Sequence, residues 1–446
     1  MSKYVLFSPI GNHDPFGYTK EKITEGPLLH IVRHYKPEVV ILFLTKEMHD
    51  KESKDKRYTE SVKHFLPECK IEIFKEGFNI VDAHKFDEFI TPYNGVFERI
   101  QEHYPNYEIL FNVSSGTPQM ISAIILEAQS SNIKAKAVQV ITPVRKANIP
   151  DCYQKDDIEY IENDLENKDN RCDEPNFNAF RKMRLKSQVM ALISNYEYDA
   201  AVNIVKNDGL QLFSDNVLEL LEHLHYRSIY DLQNARVHAS NLKDIDVELK
   251  KLTNIDKNIV EYFYTIKLKQ KKGELDDMVL KVTPFVAKIL RNEVEKYYNL
   301  QDIITYYGKN NTEQITRETL EEKDKELLNF LDNGFDGYYN SGFVKSQVLK
   351  RILEYKQETI NFATEKERNT FNQLNELFNK FLDLESNIRN SVAHEMVCID
   401  ENIIKKTYNG KSKDIIKDLE TLLKITNSFS GKFIYDEFKK ELINLL

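Results

Sequence analysis

Arg389-Asn390-Ser391-Val392-Ala393-His394, an R-N-x-x-x-H element near the carboxyl end, sets a permanently charged cation close to a titratable imidazole. The pair suits phosphodiester chemistry in RNA. The guanidinium can hold and neutralise a phosphate, and the imidazole can hold or move a proton near neutral pH. The same residues also fit a quieter reading, with Arg389 on a solvated helix face and His394 capping a helix carboxyl end. Five residues on an ideal helix rotate by about 140°, so Arg389 and His394 do not share one stripe. Either the helix ends or distorts near Ser391, or the chemistry draws on two chains.

A second polar group is Asn112-Val113-Ser114-Ser115-Gly116-Thr117-Pro118-Gln119. Gly116 lets backbone approach a ligand closely, and Thr117 is placed to cap a helix whose first residue is Pro118. Two serines, a threonine and the N–H groups of a helix start make a site for phosphate or hydroxyl oxygens. An ordinary, well-capped strand-to-helix turn would read the same, because the stretch is neither a G-x-G-x-x-G fingerprint nor a P-loop.

These groups need elements to position them. Apolar runs at 4–7, 39–44, 71–74 and 109–113, with a further one at 135–140, read as strands. Helix-period stretches at 27–34, 96–104 and 119–130 alternate with them. Near-continuous apolar strands in alternation with helices predict a parallel sheet covered on both faces, with ligands beyond the carboxyl ends of the strands. Two loops reach that edge: Ser8-Pro9-Ile10-Gly11-Asn12-His13-Asp14-Pro15 after the first strand, and 112–119 after the fourth.

From 151 to 174 the chain is strongly acidic and poor in aliphatics, which reads as a linker. Beyond it the pattern is helical to the end, with no further strand-and-glycine signal. Periodicity marks 180–194, 216–230 and 284–298, the last with Thr283 as cap and Pro284 at the first helical position. The polar stretch 310–324 reads as a second boundary, before helices at 345–364, 365–390, 414–429 and 434–446 that fit a small bundle. The expected class is α/β plus α, divided at 1–150, 151–310 and 311–446.

Other residues are assigned structural roles. Arg236-Val237-His238 repeats the residue types of the motif at another spacing. His223 and His225 beside Glu222 suggest a metal set, but two residues turn them about 200° apart on a helix, so they cannot share an ion there. Cys69, Cys152, Cys172 and Cys398 form no C-x-x-C pair, so neither a disulfide framework nor a zinc site is expected, and free thiols suit a reducing cytoplasm. The start has no signal-peptide layout and the apolar runs are far short of a membrane span. A formal charge of −9 argues against a chain coated in nucleic acid.

A sheet domain with a polar loop after strand one and S-S-G-T-P-Q after strand four resembles a CARF domain, the CRISPR-associated Rossmann-like sensor. A carboxyl-terminal helical domain with R-N-x-x-x-H resembles a HEPN ribonuclease. In this order, joined by a helical insert, they resemble the ancillary ribonucleases of type III-A CRISPR systems, the Csm-six family. The resemblance implies a CARF domain at 1–150, a connector at 151–310 and a HEPN domain at 311–446. It implies a homodimer in which paired HEPN motifs meet at a two-fold axis, consistent with the rotation problem above. It also implies metal-independent cleavage of single-stranded RNA, with no cofactor, no membrane and no stable complex with DNA. Arg389 would neutralise the phosphate, His394 position or protonate the leaving oxygen, and Asn390 orient the phosphate or the histidine. The sensor would bind cyclic oligoadenylate made by the CRISPR interference complex, the six-membered ring favoured. Matching positions are Gly11, Asn12, His13, Asp14, Thr45, Lys46, Asn112, Ser114, Ser115, Gly116, Thr117 and Gln119. Some relatives cleave their activator slowly in this pocket, where Thr117 or His13 would assist. Two other readings are a catalytically silent sensor acting through a protein partner, and a nucleotide-dependent small-molecule enzyme on the sheet. An RNA reporter assay with and without cyclic oligoadenylates separates the three.

Overall fold

The computed structural model describes residues 3–18, 22–130, 135–141, 152–163, 168–175, 178–209, 212–255, 257–309, 311–389, 398–427 and 429–446. The chain divides into two compact units, Met1–Met183 and Arg184–Leu446.

The first unit runs β1 (Tyr4–Pro9), β2 (Phe16–Tyr18), β3 (Ile23–Glu25), α1 (Pro27–Tyr35), β4 (Val39–Phe43), α2 (Lys46–Asp55), α3 (Arg57–Phe65), β5 (Lys70–Phe74), α4 (Asp87–His103), β6 (Glu108–Asn112), α5 (Pro118–Ser130), β7 (Ala135–Val140), α6 (Asp157–Asn163) and β8 (Cys172–Asp173). Its main sheet has the order β5-β4-β1-β6-β7-β8, parallel except for β8 at the edge. The alternation of side chains explains the apolar runs. Leu6, Val40, Leu42 and Leu110 bury one face with Leu28, Leu29 and Val62 of α1 and α3. Val5, Phe7, Ile41, Ile109 and Phe111 bury the other with Phe89, Tyr93 and Phe97 of α4 and Ala123 and Ile124 of α5. Phe7 meets Tyr93 at 5.4 Å and Phe97 at 5.2 Å between ring centroids, both edge-on, the arrangement aromatic quadrupoles prefer.

The described residues of 151–174, expected to be a linker, belong to this unit. β8 extends the sheet, Ile161 is buried, Tyr18 donates to Asp157 at 2.8 Å and Tyr35 donates to Glu174 at 2.7 Å. Acidic residues that look solvated in a sequence here accept hydrogen bonds from buried Tyr18 and half-buried Tyr35. The Arg171 N–H donates to Nε2 of buried His30 at 2.9 Å, while His30 Nδ1 lies 2.6 Å from the buried Glu25 carboxylate, which ties β8 to α1.

The second unit has one core that continues from Leu185 to Leu446. Two expectations fail in it. Pro284 does not begin a helix but sits inside Leu275–Tyr297. The apolar stripe of Met278, Val279, Val282, Phe285, Val286, Ile289 and Leu290 is buried on both sides of it, and burial on that scale outweighs the roughly 3 kcal/mol that an internal proline costs. The stretch 310–324 is not a bare boundary. It carries β10 of a small antiparallel sheet, β9 (Ile304–Tyr307), β10 (Thr312–Ile315) and β11 (Gly342–Phe343), followed by the helix Arg317–Lys323. Ile315 and Leu320 bury themselves in the common core. Strands of two to four residues, rich in Thr, Glu and Gln, are too short and polar to show a period.

His223 takes the structural role expected of it. Fully buried, it has Nδ1 2.8 Å from the Ala235 carbonyl and Nε2 3.2 Å from a guanidinium nitrogen of Arg227, which itself forks onto Glu261 at 2.7 and 2.6 Å. The ring is therefore a neutral imidazole, donating from Nδ1 and accepting at Nε2. Burial, then the neighbouring Arg227 charge, push its pKa down to about 3. A histidine depressed on folding takes up its proton only in the unfolded chain between those two values, so acid favours unfolding. The stability of this unit should fall by about 1.4 kcal/mol for each pH unit below about 6.5. Urea unfolding of wild type and His223→Gln between pH 7 and pH 5 tests this, with the steeper fall expected for wild type. His238 Nδ1 lies 2.8 Å from the Glu219 carboxylate. Among the described residues no helix is long and apolar enough to cross a membrane.

The helix Glu365–Leu384 opens with a capping box between Thr364 and Glu367. It then widens into a π turn at Glu385–Arg389. The helical period is thus broken where the R-N-x-x-x-H element begins, a distortion often found at functional sites. Asn390 and His394, with the side chain of Arg389, lie outside the described residues.

Candidate ligand site at the carboxyl edge of the sheet

The strand order places β1 between β4 and β6, so the winding of the chain reverses between β1 and β6. At such a switch point the loops diverge and leave a crevice above the strand ends. Here those loops are 10–15 and 113–117, and they touch through glycines. A Cβ on Gly11 would lie 2.6 Å from the Gly116 nitrogen, so only glycine fits. Gly116 has φ of +87°, and a Cβ there would press on Met120 Sδ at 3.0 Å.

Beneath this junction the polar residues hold one another. Asp14 is buried; its carboxylate accepts from Leu28 N–H at 2.9 Å and Gly11 N–H at 3.3 Å, and from the Ser115 hydroxyl. Burial pushes this carboxyl above the usual range against the pull of those three bonds. Asn112, also buried, donates to Ser8 Oγ at 2.9 Å and accepts from Ser114 N–H at 2.9 Å. Ser114 Oγ accepts from Val140 N–H at 2.6 Å. Thr45 is buried at the start of α2. Four of the residues expected to line the pocket, Asp14, Asn112, Ser115 and Thr45, have little exposed surface of their own. Each is buried, and the bonds that hold Asp14, Asn112 and Ser115 are made inside the protein.

The exposed members are Asn12, His13 and Lys46, with Gly11, Ser114, Gly116, Thr117 and Gln119 half-buried. Thr117 caps α5 as expected: its hydroxyl accepts from Met120 N–H at 3.3 Å and donates to the Ala83 carbonyl at 2.7 Å. Gln119 Oε1 is shut off from solvent with no hydrogen-bond partner among the described residues. An atom in that state invites a donor from outside the chain. Lys51, which sequence reasoning missed, donates to Asn12 Oδ1 at 3.1 Å and to Glu47 at 2.7 Å. The i,i+4 spacing of Glu47 and Lys51 was its only signal. The edge thus combines close backbone approach, a helix amino terminus, two cations and an orphaned acceptor. Such a set can hold phosphate and sugar oxygens and meet a donor group on a base.

The chain is similar to known proteins along almost its whole length. The Cas_Csm6 CARF domain family matches residues 70–176, the Csm6 6H domain residues 175–228 and the Cas_Csm6 HEPN domain residues 248–443. The CRISPR system endoribonuclease Csm6 of Mycobacterium tuberculosis is 27% identical over 98% of each chain, and that of Enterococcus italicus 25% identical over 94% of each. A solved structure of Enterococcus italicus Csm6 bound to cyclic hexa-2'-fluoro-hexa-dAMP superposes over 100% of both chains with a TM-score of 0.72 at 24% identity.

Proposed function

The chain is a CARF–HEPN endoribonuclease of the Csm6 family, and from that premise we propose that it cuts single-stranded RNA without metal when cyclic oligoadenylate, most favourably the six-membered ring, occupies the carboxyl edge of its amino-terminal sheet. The observation that carries the reading is the Gly11–Gly116 junction at the switch point, with the orphaned Gln119 Oε1 in the first turn of the helix that follows it. The adenine amino group is a donor that this oxygen can accept. The α5 amino terminus, Lys46 and Lys51 complement phosphates. The solved relative carries a six-membered ring analogue. Asn12, His13, Lys46, Thr117 and Gln119 contact the ring by side chain, and Gly11, Ser114 and Gly116 through backbone, over the support of Asp14, Thr45, Asn112 and Ser115. Activator cleavage assisted by Thr117 or His13 would make the response self-limiting.

Cleavage belongs to the HEPN part. The ribose 2′-hydroxyl attacks the adjacent phosphorus in line, the 5′-oxygen leaves, and the products are a 2′,3′-cyclic phosphate and a 5′-hydroxyl. Arg389 neutralises the charge that develops on the phosphate, His394 positions or protonates the leaving oxygen, and Asn390 orients the phosphate or the imidazole. Two copies of the chain bring two motifs to one two-fold interface, and a two-fold pair of sensors fits a ring of matching symmetry.

In excess EDTA the activated protein should cut single-stranded RNA and leave DNA of the same sequence intact, because deoxyribose lacks the nucleophile. Activity that vanishes on chelation and returns with magnesium or manganese would refute the metal-free step.

A further inference from the structure

The small sheet of the second unit has a face that its core does not use. Ile304 pairs with Ile315, Thr305 with Gln314, Tyr307 with Thr312, and Gln314 in turn with Phe343. Side chains alternate across a strand, so buried Ile304 and Ile315 face the core while Thr305, Tyr307, Thr312, Gln314 and Phe343 share the outer face. On that face Tyr307 is 65% exposed and Phe343 48% exposed. Rings so open to water contribute little to the fold. Two flat π surfaces separated by hydroxyls and an amide are the parts of a base-stacking platform.

The surrounding charge has the right sign. Lys309 in the turn after Tyr307, and Lys345 two residues past Phe343, are both exposed. Glu313, the carboxylate within β10, lies on the opposite face and is held by both arms of the Arg291 guanidinium. Size argues against a protein occupant. Strand spacing and rise give a patch on the order of 150 Å², against the roughly 800 Å² per partner of a stable protein interface.

We propose that this face holds the single-stranded RNA substrate, bases stacking on Tyr307 and Phe343, Gln314 meeting their edges, and Lys309 and Lys345 meeting phosphates. The proposal rests on the endoribonuclease activity and not on the identity of the activator. Its test uses the full chain with saturating cyclic hexa-adenylate. Binding of a fluorescein-labelled 2′-O-methyl RNA, which lacks the nucleophile, is read by anisotropy, and KM and kcat are measured on unmodified RNA of the same sequence. Tyr307→Ala and Phe343→Ala should each weaken binding and raise KM about tenfold, with kcat unchanged. Tyr307→Phe keeps the ring and should stay within about twofold of wild type. Lys309→Gln should lower the slope of log affinity against log salt by about 0.7. Tyr307→Gln removes the ring while keeping a polar strand residue, so a folding defect in the alanine variant does not decide the matter. Wild-type binding by all three ring-less variants, Tyr307→Ala, Tyr307→Gln and Phe343→Ala, would overturn the proposal. So would a loss that follows a change of oligomeric state in light scattering, which would give the face to a second copy of the chain. If the chain cut no RNA at all, the anisotropy series would still report on the platform separately.

Discussion

Arg389→Ala and His394→Ala should each lower the rate of RNA cleavage about 1,000-fold or more, while the protein stays folded, keeps the oligomeric state of wild type and still binds activator. The magnitude follows from the roles. A cation aimed at a developing phosphorane charge and a proton donor aimed at the leaving oxygen each supply about 10²- to 10⁴-fold, and both act only in the transition state. The loss should therefore appear in kcat, with KM for RNA little changed. The two substitutions act on one step, so the double variant should be scarcely worse than either single one. The π turn at Glu385–Arg389 breaks the regular helical period where the motif begins. Near-wild-type turnover in either variant, measured with a quenched RNA reporter, would remove that residue from the catalytic centre.

Closing the glycine junction should have the next largest effect. A side chain at Gly11 meets the Gly116 backbone at 2.6 Å, and a side chain at Gly116 must hold φ at +87°, which costs about 1–2 kcal/mol before any clash with Met120. Gly11→Val and Gly116→Val should therefore raise the activator concentration for half-maximal cleavage at least about tenfold. The unstimulated rate should not change, because these residues belong to the sheet unit and Arg389 to the other. Thr117→Ala should act in the same direction but more weakly, by about fivefold, the value of roughly 1 kcal/mol for one hydroxyl bond. Direct calorimetry of ring binding separates this account from a change in the nuclease itself: weaker binding with an intact maximal rate supports it, and unchanged binding contradicts it.

The first unit was legible because its strands are buried on both faces and so read as unbroken apolar runs, such as the one around Val39–Phe43. Thr117 and Pro118 announced the start of α5 by capping chemistry alone. What stayed hidden depends on tertiary partners. The acidic stretch around Asp157 looks solvated until Tyr18 is found donating to it, and Pro284 looks like a helix start until the buried stripe is seen to run past it. The hairpins at β2–β3 and β9–β10 have strands of three and four residues, below the length at which alternation is visible. Within the site, residue type alone did not separate Asp14, Asn112 and Ser115, which brace the loops, from Asn12 and His13, which are exposed. That division follows from burial, which a sequence does not print.

A cyclic oligoadenylate held at the sheet edge should switch on RNA cleavage by the R-N-x-x-x-H motif. The most direct measurement titrates cyclic hexa-adenylate and cyclic tetra-adenylate separately into wild-type protein with a fluorescent single-stranded RNA reporter in excess EDTA. A steep rise in cleavage rate is expected with the six-membered ring at lower concentration than with the four-membered ring, and none with His394→Ala. A cleavage rate that neither ring changes would contradict the coupling of sensor to nuclease.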